Sequence, residues 1–169
     1  MTTQETIDLE KKYILQTYGR PDFVLERGEG MHLFDTEGTK YLDFVSGLSV
    51  NALGYGNKMI SDAAAEQTEK LIHVSNLYHT IPAPQLAQLL CESSFADRVF
   101  FCNSGTESWE AAMKFARKFA YKQNPDSPKT NFIAMNQSFH GRTLGSISAT
   151  GQPKYHKGFG PLLPGISFA

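Results

Sequence analysis

Between residues 98 and 136 the chain reads as apolar run, long amphipathic helix, apolar run: "RVFFCN", then residues 104–122, then "NFIAMN". Short apolar runs on either side of a helix predict a βαβ unit, with strands near 98–102 and 131–135 lying parallel. No other feature constrains the fold as much, because a parallel sheet needs several strands and helices over both faces. The expectation is an α/β fold. The last stretch, "GPLLPGISFA", reads as the start of a further strand, so these residues are expected to form the front part of a larger protein.

Upstream the period changes. Residues 4–17 predict a short helix. "FVLERGEGMHLFDTEGTKYLDFVSG" alternates apolar and polar residues around Gly28, Gly30 and Gly38, the pattern of a small antiparallel meander. Helical spacing runs from Met59 to about Val74, and "PAPQLAQLLCESS" predicts a second helix with prolines at its start. The expected division is residues 1–57 as the helix and meander of a small domain, and residues 58–169 as the first part of a larger domain. There is no internal repeat.

Composition removes several function classes. With 20% charged residues and a formal net charge of −1, the chain has no basic footprint for nucleic acid. Nothing approaches the run of about 18 apolar residues that a membrane span requires. "MTTQETIDLEKKY" has neither the apolar core of a signal peptide nor the acid-poor character of a transit peptide, so a cytoplasmic setting is expected. Cys91 and Cys102 sit in apolar contexts and are expected to be reduced and buried. The histidines are scattered, and no metal site is expected.

Ser104-Gly105-Thr106-Glu107 fits a capping box at the start of the long helix. Ala112, Phe115, Ala116 and Phe119 form its apolar face, and Glu107 and Glu110 precede Lys114, Arg117, Lys118 and Lys122 as the helix dipole favours. An ordinary cap explains the stretch as well as an anion site does. Gly105 nonetheless leaves the free N–H groups approachable, Thr106 adds a hydroxyl, and helix starts beyond parallel strands bind phosphate in α/β proteins. Neither G-x-G-x-x-G nor G-x-x-x-x-G-K-[ST] occurs here.

Phe139-His140-Gly141-Arg142-Thr143 follows the next strand, so both clusters should open on one sheet edge. Alone, Phe139 and Arg142 read as a core ring and a surface cation. Beside a phosphate cup they read as a stacking ring and a carboxylate clamp. Together the clusters suggest a phosphorylated aromatic cofactor acting on an amino acid.

"FADRVFFCNSGTESWEAAMKFARKFA", "FIAMNQSFHGRTLGSISATGQPKYHKGFGPLLPG", "YLDFVSGLSVNALGYG" and "HVSNLYHT" resemble class III pyridoxal-phosphate aminotransferases, most closely the acetylornithine aminotransferases, across roughly residues 20–169. The resemblance implies the fold type I architecture of pyridoxal 5′-phosphate enzymes. Ser104, Gly105 and Thr106 would hold the cofactor phosphate, Phe139 would lie against its ring, and Arg142 would bind a substrate carboxylate. Asn76 and Tyr78 fall where the family lines a pocket at the dimer interface, so a homodimer is implied. The substrates would be an N-acetylornithine-like ω-amino donor and 2-oxoglutarate, the chemistry of arginine biosynthesis.

The chain departs from the family pattern at three places. Gly54-Tyr55-Gly56-Asn57-Lys58 replaces a G-H-x-H-P-like run. Leu48 stands where ornithine aminotransferases have Tyr, which argues against ornithine as the direct substrate. Family members are about twice this length or more, and the Schiff-base lysine is expected beyond Ala169. No lysine here has the desolvated setting such a group needs, so these 169 residues alone are expected not to transaminate. Other class III enzymes (4-aminobutyrate or ornithine aminotransferases, aminomutases), a racemase or decarboxylase of the same fold, and a non-catalytic phosphate-binding module are the alternatives.

Overall fold

The computed structural model describes all of residues 1–169, which divide into two compact units, Met1–His79 and Thr80–Ala169. The first unit holds the meander and the helix after Asn57.

In the first unit, α1 (Thr3–Tyr13) opens on a full capping box: Thr2 Oγ1 accepts from Glu5 N–H, and Glu5 takes the Thr2 N–H at 2.8 Å. The helix ends four residues short of the expected boundary. The meander is as expected, with β1 (Leu25–Glu29), β2 (His32–Asp35) and β3 (Lys40–Leu42) pairing antiparallel in sequence order. Asp35 sets the β2–β3 turn. Buried at 6% exposure, its carboxylate accepts from Glu37 N–H, Thr39 N–H and the Tyr41 hydroxyl. Burial pushes its pKa up, but these donors outweigh it and the net shift is downward.

Ser46–Ser49 (α2) is a turn of unusual hand: Ser46, Gly47, Leu48 and Ser49 all have positive φ, between 52° and 66°. A left-handed conformation costs about 1–2 kcal/mol per non-glycine residue. Asp43 fastens the entrance by accepting from Val45 and Ser46 N–H, both at 2.9 Å. Then α3 (Lys58–Lys70) starts on an Asn57 cap and ends short of Val74, where a single 3₁₀ turn (Ser75–Leu77) follows.

In the second unit, α4 (Pro82–Glu92) has proline at its first turn and α5 runs from Gly105 to Gln123. β4 (Phe132–Ala134) pairs in parallel with β5 (Ile166–Phe168), through α6 (Leu144–Ser148), which the sequence pattern did not suggest. The final apolar segment is thus a strand. Residues 98–102 are not: they pair with no strand, so the parallel partner of β4 is β5 and the expected 98–102 strand is corrected.

The core of this unit is made of small residues. Ala134, Ile147, Ala149 and Met113 are buried, together with Ser146, Ser148 and Thr150. Each buried hydroxyl is bonded: Ser148 Oγ donates to Leu144 O and accepts from Leu163 N–H, and Thr150 Oγ1 accepts from His140 N–H. The expected apolar face of α5 is not the buried one. Met113 is its sole buried residue, whereas Phe115 and Phe119 are 57% and 65% exposed. α5 meets α6 with the side carrying Thr106 and Glu110, spaced four residues apart. Cys91 and Cys102 are free thiols, but neither is buried as expected: Cys91 is half-buried and Cys102 exposed.

Candidate active-site cleft

Ser104 caps α5: its hydroxyl oxygen accepts from Glu107 N–H at 3.3 Å. The expected reciprocal bond reaches one residue further back, because Glu107 takes Asn103 N–H at 2.7 Å and the Asn103 amide at 3.3 Å rather than Ser104 N–H. These donors, the Asn103 side chain foremost, hold the Glu107 carboxyl below its ordinary pKa. The cap therefore consumes the N–H groups of Glu107 and Asn103. Those of Gly105 and Thr106 have no acceptor within the protein. They are the two outward N–H groups that a helix start leaves over.

Gly105 stands in open space: a Cβ added there would meet nothing within 4 Å. It needs no special backbone angle, so what glycine supplies here is room. Gly105 and Thr106, which carry the two free donors, line a cleft of about 520 Å³ together with Ser104, Trp109, Phe139 and His140, among others. Phe139, His140 and Gly141 of the second cluster therefore share this cavity with the first, whereas Arg142 is not among the residues that line it.

The 139–143 loop is set by contacts the sequence pattern did not reveal. His140 lies flat on the Trp109 indole, centroids 3.7 Å apart and planes 9° from parallel. Desolvation lowers the His140 pKa, so its neutral form is favoured. The Trp109 indole N–H is buried without an acceptor. Gly141 has φ +124°, and a Cβ there would fall 2.4 Å from Thr106 Oγ1. Both facts require glycine where the loop crosses α5. Phe139, 53% exposed, meets the Tyr155 ring edge-on at 5.6 Å, and the Arg142 guanidinium lies 5.3 Å over the same ring.

The Thr106 hydroxyl is already engaged. Its single proton is shared between Ser146 Oγ at 2.7 Å and Thr143 Oγ1 at 3.0 Å, because Thr143 donates to Glu110 and Ser146 donates to Thr106 O. In this arrangement Thr106 offers a ligand its backbone N–H, not its hydroxyl. Asn76 and Tyr78 belong to the first unit. Asn76 lies in the Ser75–Leu77 turn, and Tyr78 follows it with its side chain exposed.

Residues 13–169 match the model of the family described as aminotransferase class-III. The chain belongs to the class-III aminotransferases. Relatives include the acetylornithine aminotransferase of Clostridium acetobutylicum, 48% identical over 94% of this chain and 41% of that protein. That of Aquifex aeolicus is 51% identical over 93% of this chain and 42% of its own length. Among solved structures, ornithine aminotransferase from Toxoplasma gondii covers the whole chain at a TM-score of 0.92 and 27% identity. An (S)-enantioselective omega-transaminase from Thermomicrobium roseum gives a TM-score of 0.91 at 31% identity. The chain spans about 40% of the length of each of these proteins.

The fold is accordingly that of the fold type I enzymes, and the cofactor of the class-III aminotransferases is pyridoxal 5′-phosphate. The cleft fits that group by its own geometry: two residues with unpaired N–H donors line it, one of them a glycine beside open space, and a half-exposed ring lines it too. No helix is long and apolar enough to cross a membrane.

Proposed function

We propose that this chain contributes the phosphate cup and carboxylate clamp of an enzyme transferring an amino group from an N-acetylornithine-like ω-amino donor to 2-oxoglutarate. The observation that carries the reading is that Gly105 and Thr106, whose N–H groups have no acceptor within the protein, line the same cleft as Phe139. In this reading the two N–H groups, aided by the helix dipole, hold the phosphate. Ser104 shapes the turn, and Phe139 supports one face of the pyridine ring. Bound there, the cofactor acts as an electron sink for the amino-acid substrate.

Arg142 serves as the fork for a substrate carboxylate, a geometry suited to glutamate and 2-oxoglutarate. Its place over the Tyr155 ring supports this role, since the ring limits the directions the guanidinium takes. Asn76 and Tyr78 are assigned to the substrate pocket beside a dimer interface. Large exposed apolar side chains, Phe44 at 91% and Leu48 at 85%, call for a cover, supplied by a second copy of the chain or by the remainder of the full-length protein. The domain reading is a small-domain segment, residues 1–57, followed by the start of the cofactor-binding domain in 58–169. The setting is cytoplasmic, and these 169 residues alone bind phosphate at most.

Donor choice rests on Leu48 in place of an ornithine-type Tyr and on the names of the relatives. The test is steady-state glutamate formation by the full-length protein with N-acetylornithine, ornithine or 4-aminobutyrate as donor and 2-oxoglutarate as acceptor. The expected result is a kcat/KM for N-acetylornithine at least about tenfold above the others, equivalent to about 1.4 kcal/mol of transition-state discrimination. A higher value for ornithine would move the protein to the ornithine aminotransferases.

A further inference from the structure

Helix α6 is capped from outside. Its N-cap residue, Thr143, makes no side-chain bond to its own helix. A hydroxyl at this position ordinarily accepts the N–H two or three residues on. Here the Thr143 hydroxyl turns away and donates to Glu110 Oε1 at 2.5 Å, and that same oxygen accepts Ser146 N–H at 3.1 Å. One carboxylate on α5 thus takes both the hydroxyl and the N–H that would otherwise have paired with each other.

The fit around that carboxylate is close. A Cβ on Gly145 would stand 2.5 Å from Glu110 Oε2, so a side chain there would displace the carboxylate from this position. The Thr106–Ser146 pair adds a second tie between the same two helices, through Thr106 Oγ1 to Ser146 Oγ and Ser146 Oγ to Thr106 O. Arg142 immediately precedes Thr143, and Gly105 lies five residues before Glu110 on the helix that carries it. Fixing Thr143 to Glu110 therefore fixes the backbone from which the Arg142 guanidinium projects, relative to the cup.

We propose that Glu110 is a positioning residue, a latch that holds the Arg142 loop in register with the Gly105–Thr106 cup through Thr143 and Ser146. The proposal rests on the reading of Arg142 as the carboxylate clamp. Its physical basis is that a carboxylate accepting two hydrogen bonds from an adjoining segment restrains that segment more than the helix dipole alone does. A displacement of about 1 Å at a positioning group costs up to about 10²-fold in rate.

The test uses the full-length holoenzyme, with Glu110→Ala, Glu110→Gln, Arg142→Ala and the Glu110→Ala/Arg142→Ala double variant. Glu110→Gln keeps a carbonyl oxygen able to accept from both Thr143 and Ser146, so it is expected to stay within about threefold of wild type in KM. Glu110→Ala is expected to raise KM for 2-oxoglutarate about tenfold, the loss of one charge-assisted hydrogen bond, with cofactor affinity changed less than twofold. In the Arg142→Ala background the same substitution should add nothing, because the group being positioned has gone.

Hydrogen exchange supplies a readout independent of turnover. In cofactor-free protein, Glu110→Ala should speed exchange of the 143–147 amides at least about tenfold while leaving those of α3 and β2 unchanged. Unchanged exchange at 143–147 overturns the latch whatever the kinetics show. Faster exchange with unaltered KM in both Glu110→Ala and Arg142→Ala keeps the latch but removes Arg142 as the clamp. Equal losses in Glu110→Ala and Glu110→Gln would assign the role to charge and overturn the proposal.

Discussion

Replacing Gly105 with Val separates a helix cap from an anion cup. In the cofactor-free protein the change meets no obstacle, since nothing lies within 4 Å of the added Cβ. The cap itself is made by Ser104 on Glu107 N–H and by Glu107 on Asn103 N–H, neither of which involves the Gly105 side. Helix propensity favours Val over Gly by roughly 0.4 kcal/mol at an interior position and by less in the first turn. Stability without cofactor should therefore change by under about 0.5 kcal/mol. With cofactor the branched side chain stands between the phosphate and two N–H groups. Hydrogen bonds to a charged partner contribute about 1.5–3 kcal/mol each, so losing two weakens binding by about 3–6 kcal/mol, or roughly 10²- to 10⁴-fold. The assay is pyridoxal-phosphate retention after dialysis, read by absorbance, beside thermal melting of the cofactor-free protein. A variant that loses stability without cofactor yet binds it as wild type does would reduce the motif to a cap and refute the reasoning.

Three further outcomes follow from the same geometry. Arg142→Ala should raise KM for both amino-acid and oxo-acid substrates by an amount equivalent to about 2–5 kcal/mol while leaving cofactor retention intact; unchanged kinetics would take Arg142 out of the site. Thr106→Val should cost about 1 kcal/mol of stability and change cofactor affinity less than about threefold, because its hydroxyl faces Ser146 and Thr143 while its N–H is kept; a large affinity loss would show that the hydroxyl turns to the ligand. His140, held neutral by desolvation below its ordinary value of 6.5, makes stability depend on acid. As pH falls below about 6.5 the unfolded chain takes a proton before the native one does, so stability declines until the native imidazole also protonates. His140→Gln should flatten the melting temperature between about pH 7 and 5.5, and an unaltered slope would remove His140 as the cause.

Local signals in the sequence reached far. The meander, the Pro-initiated helix and the cap at Ser104 follow from turn residues, proline chemistry and hydroxyl placement, all properties of a few adjacent residues. The strand expected at 98–102 failed for a physical reason: an apolar run becomes a strand only where another backbone completes its ladder, and β4 pairs with β5 instead. The face of α5 was misjudged similarly, since large apolar residues such as Phe115 outweigh Thr106 and Glu110 in any periodicity argument. Yet it is the small polar side that meets α6, where close backbone approach and satisfied hydroxyls matter more than apolar area. Trp109, Glu110, Thr143 and Ser146 were invisible as a set because the two pairs lie 33 or more residues apart across the loop, although the spacing of Thr106 and Glu110 placed those two on one face. The helix α6 was hidden by its composition, "LGSIS", which carries no amphipathic period.

The most direct test of the central claim is a crystal structure of the full-length protein with pyridoxal 5′-phosphate. Phosphate oxygens within about 3 Å of both the Gly105 and Thr106 nitrogens, with the pyridine ring against Phe139, are the expected result. A cofactor whose phosphate is held elsewhere, with those two N–H groups facing only water, would contradict it.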